Sequence, residues 1–272
     1  MSLRKSLRKR TPTALIFLLF VFLCIQFFPP VGYFIVLQLL IIASLIEFYN
    51  LPLKRNMFPK KIVGIILALI ISSSFFFEEI SLEIALLVAL FLTAIYFLLS
   101  FNTVEKLRHF SASISLTFFG AFYLSFPLNY FYPVRVEKGP FYVYFFLAVI
   151  FLGDSGAYFF GKLWGKRKQV PIASPNKTWM GGLGGIIFAA IGAFAAQQIL
   201  LQEVILWKAM LCGILVHAVA QISDPVESLF KRGVGVKDSS NALPGHGGFL
   251  DRMDSFILAV PFFYYFVKYI WK

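Results

Sequence analysis

The chain has 272 residues, 59% apolar and 14% charged, with 34 Phe and a formal net charge of +12. Soluble domains carry about 25% charged residues, so the composition excludes an ordinary soluble enzyme, and the apolar runs lack the alternation of an outer-membrane barrel. Two cysteines, Cys24 and Cys212, lie inside apolar runs without CxxC or Cys/His spacing, which argues against a disulfide scaffold or a structural zinc centre.

The basic start MSLRKSLRKR leads into an apolar run with no small-residue cleavage site, which reads as an uncleaved first span. The apolar runs predict an all-α polytopic membrane protein with nine spans. They are Thr13–Phe28, Val31–Tyr49, Ile62–Phe77, Leu82–Phe101, Phe110–Phe126, Phe141–Gly161, Trp179–Leu200, Val204–Ile222 and Ser255–Trp271. Pro29-Pro30 makes the first turn, and Leu51–Lys61, Asn102–His109 and Asn129–Pro140 read as loops. Two regions follow: 1–140 with five spans, and 141–272, which holds the chemical candidates and a segment at 223–254.

With the N-terminus inside, the segments on that side hold 20 Lys and Arg and the opposite side holds 5. That asymmetry predicts a cytoplasmic N-terminus, a C-terminus on the other side, and residues 223–254 facing the cytoplasm of an inner (cell) membrane. It also assigns the positive charge to topology and anionic headgroups rather than to nucleic acid.

The window Asp224–Asp254 concentrates five acids and four bases in this apolar chain. Pro225 cannot extend an upstream helix but suits a first helical position. The eighth span is therefore expected to stop near Ser223, with Asp224 capping a new helix and Glu227 completing a capping box. The same i, i+3 spacing places both carboxylates on one face, where they can share a cation. Asp251 and Asp254 repeat the spacing at the start of the last span, where first-turn acids also favour a helix N-terminus. Folding back of the loop would bring the four carboxylates together, and oxygen-only ligands favour Mg²⁺ or Mn²⁺ over zinc. Between the pairs, Leu243-Pro-Gly-His246-Gly247-Gly248 is either a turn or an anion nest.

Upstream, the loop Lys162–Thr178 ends in Ser174-Pro-Asn-Lys177-Thr178 just before the seventh span, where a cation and a hydroxyl suit phosphate, although a topogenic lysine has the same appearance. Asp154 within the sixth span is a site candidate, because an intramembrane carboxylate is costly. His217 reads as a neutral histidine bonded inside the bundle. Glu47, near the inner end of the second span, is placed where it can reach water.

Ser228-Leu-Phe-Lys231-Arg232, then Lys237-Asp238, Pro244-Gly-His246-Gly247-Gly248 and Asp251-Arg252-Met-Asp254 resembles the signature of the phosphatidate cytidylyltransferases. Asp154-Ser-Gly-Ala-Tyr158-Phe-Phe-Gly161 and Ser174–Thr178 are similar to further motifs of that family, while the first five spans carry little of the likeness. The resemblance implies transfer of a cytidylyl group from CTP to phosphatidic acid, giving CDP-diacylglycerol and pyrophosphate. It implies Asp224, Glu227, Asp251 and Asp254 as ligands of Mg²⁺, with K⁺ as a second cation. Asp224, Asp251 and Lys237 are the expected catalytic residues. CTP and lipid contacts are expected from Asp154, Ser174, Lys177, Thr178, Lys231, Arg232, Lys237, Asp238, His246, Gly247, Gly248 and Arg252.

The chain departs from the family pattern at Ser223 and Pro225, where Gly-Asp-Leu is common, and at Met180, where the family often has Glu. The alternatives are a CTP-dependent polyprenol or dolichol kinase and a non-enzymatic transporter. A homodimer is left open as a partner state.

Overall fold

A computed structural model describes residues 19–55, 57–242 and 247–271. Its helices, in chain order, are α1 at 19–27, α2 Pro30–Asn50, α3 Lys61–Phe76, α4 Leu82–Ser100, the turn α5 Val104–Leu107 and α6 Phe110–Leu128. The turn α7 Phe131–Pro133, α8 Pro140–Trp164, α9 Trp179–Leu200, α10 Leu206–Gly233, the turn α11 Leu250–Met253 and α12 Phe256–Ile270 follow. Proline at the first position starts α2 and α8, where its missing N–H costs nothing. Side-chain caps start others: Ser81 accepts from Ile84 N at 3.4 Å for α4.

Among the described residues, seven helical stretches are long and apolar enough to cross a bilayer, and α3 is a shorter apolar helix. Large apolar side chains such as Ile62, Leu98 and Ile199 face outward, which suits hydrocarbon and not water. The chain is thus a polytopic α-helical membrane protein. The first expected span falls partly outside the described residues, which show its helical end at 19–27.

The chain divides into two compact units. The first comprises the described residues up to Tyr132 together with Val236–Met253. Here α3 packs on α4 and α6, α2 packs on α3 and α6, and α11 rests on α2. Phe48, Tyr49, Leu67, Ile71, Phe97 and Leu124 form its core. One buried polar knot crosses it. Asn129 Oδ1 accepts from Gln38 Nε2 at 2.8 Å, and its Nδ2 lies 2.7 Å from both Ser72 Oγ and Ser125 O.

The second unit comprises Pro133–Gly235 and the chain from Asp254 onward. α8 lies along α9, and α10 packs against α8, α9 and α12. Stacked and tilted rings of Phe145, Phe146 and Phe263 fill its core.

Three expectations are corrected. Asn129–Pro140 is not a loop: α7 and a π-helical turn, Val134–Lys138, occupy it, because Phe131 and Val134 are apolar enough to be buried. The segment before α9 is not wholly irregular. Strands β1 Lys168–Val170 and β2 Ser174–Thr178 pair antiparallel, Lys168 opposite Thr178 and Val170 opposite Ser174. Finally, α10 does not stop at Ser223, and Asp224 caps no new helix; the helix runs through Pro225 to Gly233. Proline removes one N–H from the ladder, while burial of Ala220, Ser223, Glu227 and Lys231 along one face secures both halves.

Candidate functional site

Within the second unit, α10 carries a polar cluster. Asp224 Oδ2 lies 2.8 Å from Lys177 Nζ at the end of β2, and Ser228 Oγ donates to Asp224 Oδ1 at 3.3 Å. One helical turn further, Glu227 Oε2 lies 2.6 Å from Lys231 Nζ. Both side chains of that pair are buried, Glu227 at 1% exposure. Asp254 stands within range of the charges on Asp224, Glu227 and Lys231, and Asp154 of α8 within range of Asp224 and Lys177. The structure thus brings together six sequence candidates: Asp154, Lys177, Asp224, Glu227, Lys231 and Asp254.

Ser223 sets the place of Asp254. Its hydroxyl donates to the Asp254 carbonyl and accepts from Leu258 N at 3.2 Å, tying α10 to the start of α12. Asp254 Oδ1 in turn accepts from Ser255 N at 2.6 Å. The family's more common glycine has no hydroxyl for this bridge.

Thr178 has a structural task, since its Oγ1 accepts from Gly181 N at 3.1 Å and caps α9. Ser174 stands in β2 opposite Val170, and Arg232 Nε donates to Ala173 O at 3.4 Å. Met180 is exposed on the first turn of α9. His217 is fully buried against Gly153 and Gly185. Its ring nitrogens find no hydrogen-bond partner among the described residues, so the expected internal bond is not there.

Within the first unit, Ser239, Ser240, Phe249 and Leu250 of the signature segment gather around Glu47. Glu47 is not placed to reach water, as its position near a span end suggested; it is 6% exposed and accepts four hydrogen bonds. Ser239 Oγ also lies 2.9 Å from Asp251 Oδ2, which accepts from Ser239 N at 3.0 Å and Gly248 N at 2.8 Å. Gly247 adopts φ +82°, a left-handed conformation that favours glycine. A Cβ on Gly248 would collide with Ser239 Oγ and Glu47 Oε2. The second glycine is therefore required by the close approach of two side chains, and not by turn geometry. Lys237, Asp238 and Arg252 are exposed. His246 lies outside the described residues.

Among the described residues, no group of three or more His, Cys, Asp or Glu side chains is closed around a metal-sized space. Asp224 and Glu227 are instead neutralised by Lys177 and Lys231. The donor chemistry nevertheless suits a hard divalent cation, because Asp224, Glu227 and Asp254 offer only oxygen.

Residues 8–270 match the profile of the cytidylyltransferase family. The chain belongs to that family. A phosphatidate cytidylyltransferase of Staphylococcus epidermidis is 39% identical over 166 residues, a stretch covering 61% of this chain and 64% of that protein. Its counterpart in Staphylococcus saprophyticus is equally similar over the same length. That of Bacillus subtilis is 38% identical over 180 residues, 65% of this chain and 66% of the relative. The matched stretch thus spans just under two thirds of each relative. The cytidylyltransferase profile covers both units, including the first spans, where the motifs alone carried little.

Proposed function

We propose that this chain transfers the cytidylyl group of CTP to phosphatidate, forming CDP-diacylglycerol and releasing pyrophosphate. The observation that carries this reading is the charge cluster on α10, where Asp224, Glu227 and Asp254 lie among Lys177 and Lys231 in a chain of this family.

The reaction joins a lipid phosphate oxygen to the α-phosphorus of CTP and breaks the bond to the β-phosphate. Reactants and products are all anionic, so the protein's task is to position them and offset their charge. Lys177 and Lys231 are proposed to hold phosphate oxygens once their carboxylate partners turn to a cation. Arg232, Lys237 and Arg252 are proposed as further phosphate contacts, and Asp154, Ser174, Thr178, Asp238, His246, Gly247 and Gly248 as the other substrate contacts that the family resemblance implies. Asp224, Glu227 and Asp254 would hold Mg²⁺ (Mn²⁺ having the same preferences), and Asp251 is the fourth carboxylate that the family resemblance assigns to it. When bound, the ion supplies charge neutralisation on the triphosphate and eases pyrophosphate departure. K⁺ is proposed as the second cation.

The same reading places nine spans in an inner membrane, with the N-terminus and the signature residues on the cytoplasmic side, where CTP is found. It is supported by the bias of 20 basic residues to 5 between the two sides.

The test is a detergent assay of purified chain with CTP, Mg²⁺ and phosphatidate, scored for CDP-diacylglycerol and pyrophosphate. Equal yields of the two are expected. Release of CDP with a phosphorylated lipid alcohol would transfer the assignment to a kinase. No turnover of any of several lipid phosphates by folded protein would sink the reading.

A further inference from the structure

Glu47 accepts its four hydrogen bonds from residues 192 to 203 positions further along the chain. Oε1 takes Ser240 Oγ at 2.6 Å and Phe249 N at 3.1 Å; Oε2 takes Ser239 Oγ at 2.9 Å and Leu250 N at 2.9 Å. The donors come from both sides of the glycine-rich stretch, so one carboxylate on α2 clamps both of its flanks. The clamp passes directly to a proposed catalytic group, because Ser239 meets Asp251 through both its N–H and its hydroxyl.

We propose that Glu47 is a positioning residue for cytidylyl transfer, holding Asp251 and the signature residues around it in their working arrangement. This inference rests on the function proposed above. Charge and shape are both required at this position. Each carboxylate oxygen faces one hydroxyl, which can turn, and one backbone N–H, which can only donate. An amide in either orientation sets its NH₂ group against a backbone N–H. Glutamine therefore fails despite its equal size, while aspartate keeps two acceptors at shorter reach.

The experiment uses the full chain in detergent with Glu47→Gln, Glu47→Asp and Ser240→Ala. For each variant, kcat per folded enzyme, KM for CTP and half-saturating Mg²⁺ are measured, together with the rate of trypsin cleavage after Lys237. Glu47→Gln is expected to lower kcat by about a hundredfold, as a small misplacement of catalytic groups does. It should raise half-saturating Mg²⁺ about tenfold, the usual effect of losing a residue that orients a metal ligand, and should speed cleavage after Lys237. Glu47→Asp should restore part of each change, and Ser240→Ala should show a smaller loss with the same Mg²⁺ signature. A purely structural role would lower the yield of folded protein and leave kcat and Mg²⁺ dependence of the remainder unchanged; that result overturns the inference. If Glu47→Gln does not fold, unchanged turnover and cleavage in both Glu47→Asp and Ser240→Ala overturn it instead. A wild-type chain that makes no CDP-lipid sinks the function reading and the catalytic half of this inference together. The cleavage rates then still decide whether Glu47 holds the segment.

Discussion

The hydroxyl of Ser239 lies 2.9 Å from Glu47 Oε2 and 2.9 Å from Asp251 Oδ2, joining an acid near the end of α2 to an acid of the signature. One hydroxyl proton serves two carboxylates, so the arrangement depends on the neighbouring N–H donors to complete it. Gly248 closes the packing on this hydroxyl. Gly248→Ala drives a methyl into Ser239 Oγ and Glu47 Oε2 and must push the segment off Glu47. Overpacking of this kind costs about 1–3 kcal/mol, and we expect CDP-lipid synthesis to fall about a hundredfold with the displaced Asp251. Kinetics alongside an unfolding curve in detergent check both. An alanine variant with wild-type turnover would show that the close approach is not needed.

The Glu227–Lys231 pair is buried in the second unit, at 1% and 6% exposure. Lys231→Met removes an ammonium 2.6 Å from a buried carboxylate, and breaking such a pair costs about 3–5 kcal/mol. Replacing both partners, Glu227→Gln with Lys231→Met, should recover most of the stability, since the desolvated charges leave together. Activity should not return with it, because the proposed cation ligand is gone. Denaturation midpoints and turnover of the two single variants and the double variant separate these outcomes. Recovery of activity in the double variant would remove Glu227 from the site.

Asp224 shares its carboxylate between Lys177 and Ser228 and is partly exposed, at 28% of its side chain. A partly exposed pair contributes only about 0.2–1 kcal/mol, so Asp224→Asn should fold normally. As a proposed metal ligand it should nonetheless lose about a hundredfold or more in turnover. Chelation of divalent cations should abolish wild-type turnover, with Mg²⁺ restoring it. Calorimetric titration of Mg²⁺ gives a second readout. Unchanged Mg²⁺ binding and turnover in Asp224→Asn would exclude it as a ligand.

The helices were legible because hydrocarbon runs of span length admit few alternatives; Trp179–Leu200 is bounded identically in sequence and structure. Where polar and apolar signals conflicted, sequence rules failed. Pro225 read as a stop, yet the buried face of α10 carries the helix through it. Residue type and spacing singled out residues 224–254 as the polar exception in an apolar chain, but did not show which side chains they meet. Glu47 looked like an acid near water because its donors lie about two hundred residues away, beyond any local pattern. Asn129 was hidden in the same way, with its partners spread over α2, α3 and α6. A sequence signal for Glu47 did exist: an acid inside an otherwise apolar span implies a buried partner.

Ser223 departs from the family pattern and still has a clear role, which makes it a sharp test of the cluster on α10. Its hydroxyl both donates to the Asp254 carbonyl and accepts from Leu258 N, and the residue is fully buried. Ser223→Ala strands a buried carbonyl and a backbone N–H, a loss of about 1–3 kcal/mol. Because the freed carbonyl belongs to Asp254 itself, the substitution should also raise half-saturating Mg²⁺ about tenfold, the lower end of the effect seen when groups orienting a metal ligand are lost. KM for CTP at saturating Mg²⁺ should change little. Ser223→Gly, which matches the commoner family residue, should behave like alanine if the hydroxyl matters and like wild type if only a small side chain is needed. Parallel Mg²⁺ titrations of the three proteins decide between these. Wild-type Mg²⁺ dependence in both variants would confine Ser223 to packing and detach Asp254 from the metal.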